Sequence, residues 1–246
     1  MYGCRARIGF IAPASTIDTT AFEFYRMAPS GVLMVATLMG IRILTEEDIG
    51  RALEALDRVA ATYAREPVDI VILGGSPPVI HGGLGSEQEL ADRIERASGI
   101  QATTSQVAAI AALQALDVKK LAIASPFDDQ QNSKLKLYLE GNGFEVPSVA
   151  AGLDEPLHNY SFLSNEASYR LGREAVRQAK GAVDGLYLPC AKWPTVENIA
   201  LLEQDTHVPV VTSIQAMLWY CLRKLGLRDR IAGYGRLFEI EELDRN

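Results

Sequence analysis

The sequence is poor in the residues that build disulfide frameworks and metal sites. It contains three cysteines and three histidines among 246 residues. A small, odd number of cysteines in a chain of this length argues against a secreted protein held together by disulfides, so we expect free thiols. His81, His158 and His207 have no partner at metal-ligand spacing, and no metal site is predicted.

Basic charge and long apolar runs are also scarce. The 24 Lys and Arg residues are outnumbered by 31 Asp and Glu residues, and the net charge of −7 is opposite to that of a surface that binds nucleic-acid phosphates. No apolar run reaches the roughly 18 residues of a membrane helix, and the N-terminal residues lack the apolar stretch of a secretion signal. We therefore expect a cytoplasmic protein whose partners include neither nucleic acid nor a membrane.

What the sequence does contain is the pattern of an α/β protein. Hydrophobic residues make up 48% of the chain, enough for a buried core, and short β-branched segments alternate with longer segments of helical period. The predicted strands are Arg5 to Ala12, Gly31 to Thr37, Asp69 to Leu73, Leu121 to Ala124, Gly185 to Leu188 and Val208 to Val211. The predicted helix starts are Thr45 and Ser86, which resemble side-chain caps, and positions near Asn165, Thr195 and Ser213.

The two halves of the chain repeat the same order of elements. Segments 69–73 and 184–188 are predicted strands that run into Gly75 and Cys190 at corresponding positions. Further along each half, a strand end opens a long helix at Ser105 or at Ser213. Ligands of open parallel sheets bind beyond the carboxyl ends of the strands, so the two loops are expected to face one cleft.

The predicted fold class is therefore α/β, with two pseudosymmetric lobes whose parallel sheets are flanked by helices. We assign residues 1–115 and 226–246 to lobe 1, and residues 116–225 to lobe 2. The C-terminal segment is expected to return to lobe 1, because the helix from Ser213 mirrors the helix from Ser105 and carries the chain in the opposite direction.

Cys190 is the strongest candidate for chemistry. It follows a predicted strand, with Pro189 stiffening the turn before it and the small Ala191 after it. Lys192 lies two residues further on, where a cation would lower the pKa of a thiol and could bind a carboxylate. The alternatives are a solvated lysine and a cysteine that serves only as a small buried hydrophobic residue. Cys221, inside a predicted helix, is assigned to the core.

A glycine-rich loop is predicted on the opposite wall of the cleft. It contains Gly74, Gly75 and Ser76, and its backbone amides could approach an anion. No Gly-x-Gly-x-x-Gly motif opens a helix after the first strand, and no Lys-Ser or Lys-Thr pair follows the glycines, which argues against nucleotide binding. We predict that the amides and the Ser76 hydroxyl bind a carboxylate, with an ordinary glycine turn as the alternative.

Together these segments resemble the Asp/Glu racemase superfamily, and within it the branch of arylmalonate decarboxylase and maleate cis-trans isomerase. The matching segments are Ile8–Pro13, Leu73–Ser76, Thr103–Thr104, Leu121–Phe127 with Asn132, Leu188–Cys190, Val208–Ser213 and Gly233–Phe238. They follow one another along nearly the whole chain, and their order and spacing are more specific than any single segment. The resemblance implies two pseudosymmetric lobes, an active site between them and no cofactor.

The resemblance also implies a chemistry. In the racemases and the maleate isomerase, a cysteine follows each of the paired strands, whereas the decarboxylase keeps only the second. Here Gly75 occupies the first place and Cys190 the second, which resembles the decarboxylase. Phe127 departs from the family, because it stands where the decarboxylase and the isomerase have a tyrosine that can donate a hydrogen bond.

The expected reaction is the loss of CO2 from a malonate-type diacid, after which Cys190 acts as a general acid and protonates the enediolate from one face. Preorganised amides and hydroxyls would hold the enediolate oxygens. The expected substrate-binding residues are Gly75, Ser76, Ser125, Phe127, Ala191, Lys192 and Pro13.

Three functional classes stay open on the sequence. The first is this cofactor-independent decarboxylase. The second is a cis-trans isomerase or racemase that departs from the two-cysteine pattern, since thiolate addition across a cis double bond needs Cys190 alone. The third is a non-catalytic carboxylate-binding protein, which would be indicated if Cys190 were buried away from the cleft. In each case the partner is a small carboxylic acid, and assembly into a homo-oligomer is left open.

Overall fold

Two four-stranded sheets, each flanked by helices, make up the fold. The computed structural model describes residues 2–153 and 155–243. The strands are β1 (Ala6–Ala14), β2 (Val32–Ile41), β3 (Ile70–Leu73), β4 (Ala102–Thr104), β5 (Lys120–Ala124), β6 (Glu145–Ala150), β7 (Gly185–Leu188) and β8 (Val210–Thr212). The helices are α1 (Thr19–Met27), α2 (Glu46–Glu54), α3 (Leu56–Ala60), α4 (Ser76–Gly82), α5 (Ser86–Ser98), α6 (Ser105–Ala115), α7 (Asp129–Gly141), α8 (Asn165–Gln178), α9 (Ile199–Thr206) and α10 (Ser213–Lys224). Short 3-10 helices span Ala61–Arg65, Leu157–Phe162, Val196–Asn198 and Arg236–Glu239.

The two sheets have the same topology. The strand order is β2-β1-β3-β4 in the first sheet and β6-β5-β7-β8 in the second, and every pairing is parallel. Strands β3 and β7 consist of buried residues throughout, as strands covered by helices on both faces require. The predicted α/β class with two pseudosymmetric lobes is confirmed. Among the helices of residues 2–153 and 155–243, none is long and apolar enough to cross a bilayer.

One strand was not predicted from the sequence pattern, and another was predicted only as a strand end. The three-residue β4 is the strand end expected before Ser105, whereas β6, which carries Pro147 in its middle, was not predicted. Proline cannot donate to a sheet ladder and argues against a strand in the centre of a sheet, but β6 is an edge strand, where proline is tolerated.

The helix starts were predicted with mixed success. The Thr45 side chain caps α2 by accepting a hydrogen bond from the amide of Asp48 at 3.2 Å. The cap predicted at Ser86 is wrong, because this hydroxyl donates to the carbonyls of Val79 and Gly83, at 2.6 and 2.8 Å. The helix predicted near Thr195 starts as a 3-10 turn and becomes α-helical only in α9.

Helices α6 and α10 join the lobes through a buried polar cluster. The two helices begin in the same way, with the side chains of Thr104 and Thr212 accepting hydrogen bonds from the third residue of each helix. The Tyr187 hydroxyl lies 3.1 Å from the Ser213 hydroxyl and donates to the Gln106 side-chain oxygen at 3.4 Å. Residues of both lobes therefore share one hydrogen-bond network at their boundary.

The C-terminal segment touches both halves of the molecule. Asp229 pairs with Arg5 at 2.7 Å, next to β1. The Tyr234 hydroxyl donates to the carbonyl of Arg26 at 2.9 Å, while its own carbonyl accepts a hydrogen bond from Gln215 of α10 at 2.7 Å. The residue boundaries assigned to the lobes stay a prediction.

Glu23 of α1 makes a second buried connection between the lobes. Its side chain is 3% exposed and accepts hydrogen bonds from the amides of Thr195 and Val196, at 2.6 and 3.0 Å. Burial raises the pKa of Glu23 to about 7, although these hydrogen bonds act in the opposite direction. The carboxyl group is therefore close to half protonated at neutral pH.

Replacing Glu23 with Gln is expected to remove a pH dependence of folding stability. The pKa of Glu23 in the folded protein lies above its ordinary value of 4.5, so the folded state holds this proton more tightly than the unfolded chain. The free energy of unfolding should therefore fall as pH rises from about 4.5 to about 7, by on the order of 3 kcal/mol. Chemical denaturation at both ends of this interval measures the loss, which Glu23→Gln should reduce.

The matched control is Glu54→Gln, which changes an exposed carboxylate at the end of α2. This variant should keep the full pH dependence of the wild type. An equal dependence in Glu23→Gln and the wild type would contradict the assignment of a raised pKa to Glu23.

Candidate active site

The loops that follow β3 and β7 reach one cavity. Gly75 and Cys190 each stand two positions beyond the last residue of their strand. Both have a left-handed backbone, with φ of +76° and +73°. Both line a cavity of about 50 Å³ at the boundary between the lobes. The structure thus brings together the two positions that the internal repeat singled out.

Most of the cavity wall is apolar. Pro13 contributes to it from β1, Phe127 from the segment after β5, and Ala191 from the segment after β7. Among the described residues that line the cavity, Cys190 and Lys192 alone have titratable side chains. A bound molecule would meet one thiol and one ammonium in a mainly apolar lining to which Thr16 and Thr20 also belong. Direct contact of these residues with a substrate stays a prediction.

Ser76 and Ser125 lie behind this wall. Both are fully buried, and neither belongs to the cavity lining. The Ser76 hydroxyl donates to the Gln106 side-chain oxygen at 3.1 Å. The Ser125 hydroxyl donates to Asn132 and accepts a hydrogen bond from the amide of Phe127 at 3.2 Å. The structure therefore uses both hydroxyls inside the protein and does not bring them to the surface of the cavity.

Burial keeps the Cys190 thiol protonated. Removal from solvent raises its pKa to about 12, and the nearby carboxyl group of Glu23 acts in the same direction. The backbone amides of Lys192 and Trp193 and the Lys192 ammonium oppose this rise in pKa. At neutral pH the group in the cavity is a neutral thiol, which can donate a proton.

The Lys192 side chain contacts the segment between β1 and α1. Its Nζ lies 2.9 Å from a carboxylate oxygen of Asp18 and 3.2 Å from the hydroxyl of Thr16. Burial would raise the pKa of Asp18, but the hydrogen bond from Lys192 and the charge of Lys192 bring it below its usual value. Lys192 is buried, whereas the Asp18 side chain is 41% exposed, so a carboxylate that enters the cavity can compete with Asp18 for the ammonium.

Residues 189–196, which we term the Cys190 loop, are anchored from two sides. The indole N–H of the fully buried Trp193 donates to the carbonyl of Pro189 at 2.7 Å and closes the loop on itself. From α1, the Thr20 hydroxyl donates to the carbonyl of Ala191 at 2.7 Å, and Glu23 holds the far end of the loop. A helix of one lobe thus fixes the thiol-bearing loop of the other.

Four residues of the β1–α1 segment and of helix α1 were not predicted from the sequence. Thr16, Asp18, Thr20 and Glu23 all contact the Cys190 loop, but Thr20 and Ala191 are separated by 171 positions in the chain. A signal was present in the polar run of residues 15–20, since it directly follows a parallel strand at the end where ligands bind.

Comparison with known proteins extends over nearly the whole chain. The arylmalonate decarboxylase family matches residues 8–238. The arylmalonate decarboxylase of Bordetella bronchiseptica is 26% identical over 237 residues, which cover 94% of this chain and 96% of that protein. A maleate isomerase of Pseudomonas putida KT2440 is 25% identical over 242 residues, with 94% and 96% of the two chains covered. Both relatives are enzymes.

Crystal structures of related enzymes share the fold. That of arylmalonate decarboxylase has a TM-score of 0.81 and 24% identity, covering 95% of this chain and 99% of its own. That of the maleate isomerase Iso from Pseudomonas putida S16 has a TM-score of 0.87 and 23% identity, covering 95% and 98%. The family match includes both loops at the cavity, and the chain belongs to the arylmalonate decarboxylase family, in the branch that resembles the Asp/Glu racemases.

Proposed function

We propose that this protein is a cofactor-independent decarboxylase of a small malonate-type diacid. The observation that carries the proposal is a difference between the two loops: one has a protonated thiol at Cys190, and the other has a glycine at the corresponding position 75. Loss of CO2 from a malonate leaves an enediolate, which needs one acid group to deliver a proton to one face. A single protonated thiol in an apolar cavity supplies that group.

The geometry around Gly75 supports protonation from one face only. A Cβ atom at this position would lie 2.6 Å from Cγ of Pro13, a ring atom that cannot simply rotate away. The positive φ also disfavours any side chain there. Racemisation removes a proton on one face and delivers it on the other, so it normally needs a second acid or base. Pro13 closes the place where the repeat would put that group.

The state of the Cys190 sulfur favours proton donation over nucleophilic attack. Cis-trans isomerisation by addition of sulfur to a double bond starts from a thiolate. In this protein Lys192 forms an ion pair with Asp18, and burial holds the Cys190 pKa well above neutral. An acid role therefore agrees better with the site than a nucleophilic role.

The steps of the proposed reaction follow from these residues. One substrate carboxylate pairs with the Lys192 ammonium, and the other lies in the apolar part of the cavity, where a charge is poorly solvated. Cleavage of the carbon–carbon bond releases neutral CO2 and leaves its electron pair on the enediolate. Backbone amides such as those of Gly75 and Ala191 hold the enediolate oxygens. The Cys190 thiol then gives its proton to the α-carbon and becomes a thiolate, which solvent reprotonates.

Replacing Cys190 with Ser is expected to lower turnover by at least about 100-fold, because a hydroxyl is a far weaker acid than a thiol. The assay measures CO2 release from a panel of alkyl-substituted malonates, with product configuration determined by chiral chromatography. Cys221→Ser is the matched control, since Cys221 is a buried cysteine of α10 outside the cavity lining. Equal activity of the two variants would rule out thiol chemistry.

The same panel should include maleate. Conversion of maleate to fumarate without decarboxylation of any malonate would replace the proposed function with that of an isomerase. Tight binding of the diacids without turnover would indicate a carboxylate-binding protein.

Lys192→Met is expected to raise KM by about 10- to 100-fold, because the substrate carboxylate loses its charged hydrogen-bond donor. Asp18, left without its partner, is exposed enough to remain hydrated, so the fold should persist. Steady-state kinetics of Lys192→Met are compared with those of Lys119→Met, which removes an exposed lysine away from the cavity. An unchanged KM in Lys192→Met would contradict the role assigned to this ammonium.

A further inference from the structure

Thr20 orients the peptide group next to the Cys190 sulfur. Its hydroxyl donates to the carbonyl of Ala191 at 2.7 Å, and the contact is buried. The Ala191 carbonyl and the Lys192 N–H belong to one planar trans peptide group, in which they point in opposite directions. Holding the carbonyl towards α1 therefore turns the N–H away from α1, and this amide lowers the pKa of the Cys190 thiol, as a donor to the thiolate does.

The other side chains that anchor the Cys190 loop do not bind this peptide group, which is held by Thr20. Glu23, which follows Thr20 by nearly one turn of α1, holds the amides of Thr195 and Val196. The Trp193 side chain binds the carbonyl of Pro189, before the sulfur-bearing residue. The hydrogen bond from Thr20 is the side-chain contact that acts on the carbonyl between these two anchors.

An amide aimed at the sulfur matters when the thiol gives up its proton. The product of that step is an anion in a buried, largely apolar place, where an uncompensated charge is costly. The backbone amides of Lys192 and Trp193 both lower the pKa of the Cys190 thiol, and N–H donors of this kind stabilise the anion when they are already in place before the proton leaves.

We infer that Thr20 is a positioning residue: through the peptide group between residues 191 and 192, it directs an N–H at the Cys190 sulfur and so stabilises the thiolate that proton transfer creates. The role in turnover rests on the proposed function, but the thiolate itself can be measured without a substrate.

Substitution of Thr20 leaves the charges around the sulfur in place. The titratable groups that interact with Cys190 are the Lys192 ammonium, the Glu23 carboxyl and the hydroxyls of Tyr160 and Tyr187. Thr20 is uncharged and does not hydrogen-bond to any of them. An effect of its hydroxyl on the thiolate is therefore transmitted through the peptide group.

The test measures the rate at which iodoacetamide alkylates Cys190, in a protein whose other two cysteines are replaced by serine. Thr20→Val is expected to slow alkylation at fixed pH by about 10-fold, because the rate follows the thiolate fraction and one hydrogen bond to the anion is misdirected. Thr20→Ser keeps the hydroxyl and should retain the parent rate. Thr20→Ala serves as a second hydroxyl-free variant should Thr20→Val fail to fold.

Ser148→Ala is the matched control. The Ser148 hydroxyl donates to the carbonyl of Ala175 at 2.7 Å, in a buried contact between β6 and α8 that involves no residue of the Cys190 loop. This variant removes the same kind of hydrogen bond, and its alkylation rate should equal that of the parent. Thermal unfolding of all variants shows whether the stability losses are comparable.

Kinetics give the second readout. On a malonate that the wild type decarboxylates, Thr20→Val should lower kcat by about 10-fold and change KM much less, because valine keeps the shape of this cavity-lining residue and the hydrogen bond acts on the sulfur after substrate has bound. Alkylation of Thr20→Val at the parent rate or faster would overturn the inference, as would equal slowing in Ser148→Ala. If no malonate is decarboxylated while alkylation slows as expected, the proposed function fails and the inference about Thr20 stands.

Discussion

A left-handed backbone at a buried, non-glycine residue is the constraint around which this site is organised. Four non-glycine residues of the described chain have positive φ, and three of them, Asp117, Lys180 and His207, lie exposed beyond helix ends. Cys190 is the buried one. Such a conformation costs on the order of 1 to 3 kcal/mol and persists only where the surroundings determine it. Here the surroundings are a closed loop and helix α1 of the other lobe.

That constraint explains why the two halves of the repeat are not equivalent. Gly75 adopts nearly the same φ without strain, and Pro13 occupies the space beside it. Cys190 reaches this conformation with a side chain, and the backbone amides of Lys192 and Trp193 lower the pKa of its thiol. One duplicated architecture thus provides an acid on one wall and a flat backbone surface on the other. The chemical asymmetry of the cavity follows from one residue difference and one proline.

The features that recur in both halves of the chain could be predicted from the sequence. The apolar strands β3 and β7 and the two positions that follow them are visible as matching segments, which is why Cys190 and Gly75 were found. The contacts of Thr20 and Glu23 could not be predicted in this way, because their partners lie in the other half of the chain. Composition and the spacing of apolar residues indicate which face of a helix or strand is buried, but they do not show which loop a buried polar side chain will contact.

Competition between hydrogen-bond partners limits what the local sequence can predict for a hydroxyl. The Ser76 hydroxyl is predicted to bind a carboxylate because it opens a helix in a glycine-rich loop; in the structure it donates to the buried Gln106, and its contact with a substrate stays a prediction. Ser86 is wrongly predicted to cap α5: the N-cap is Gly85, and the Ser86 hydroxyl donates to two backbone carbonyls and accepts no hydrogen bond from the helix amides. A hydroxyl can donate or accept, so its role depends on the partners that the tertiary structure places nearest.

Helix α1 couples the stability of the fold to the organisation of the cavity. Glu23 holds the end of the Cys190 loop, where a 3-10 turn starts at Val196, but the burial of Glu23 disfavours its carboxylate form. A carboxylate offers more acceptor sites than the single oxygen of a glutamine side chain, and here it accepts two amides and the Thr195 hydroxyl. A buried acid therefore lies where three hydrogen-bond donors of the neighbouring lobe need an acceptor, although its burial lowers the stability of the folded state at neutral pH. The contacts that join the lobes are therefore also those that hold the thiol in its strained conformation, and loosening the boundary between the lobes would loosen the site.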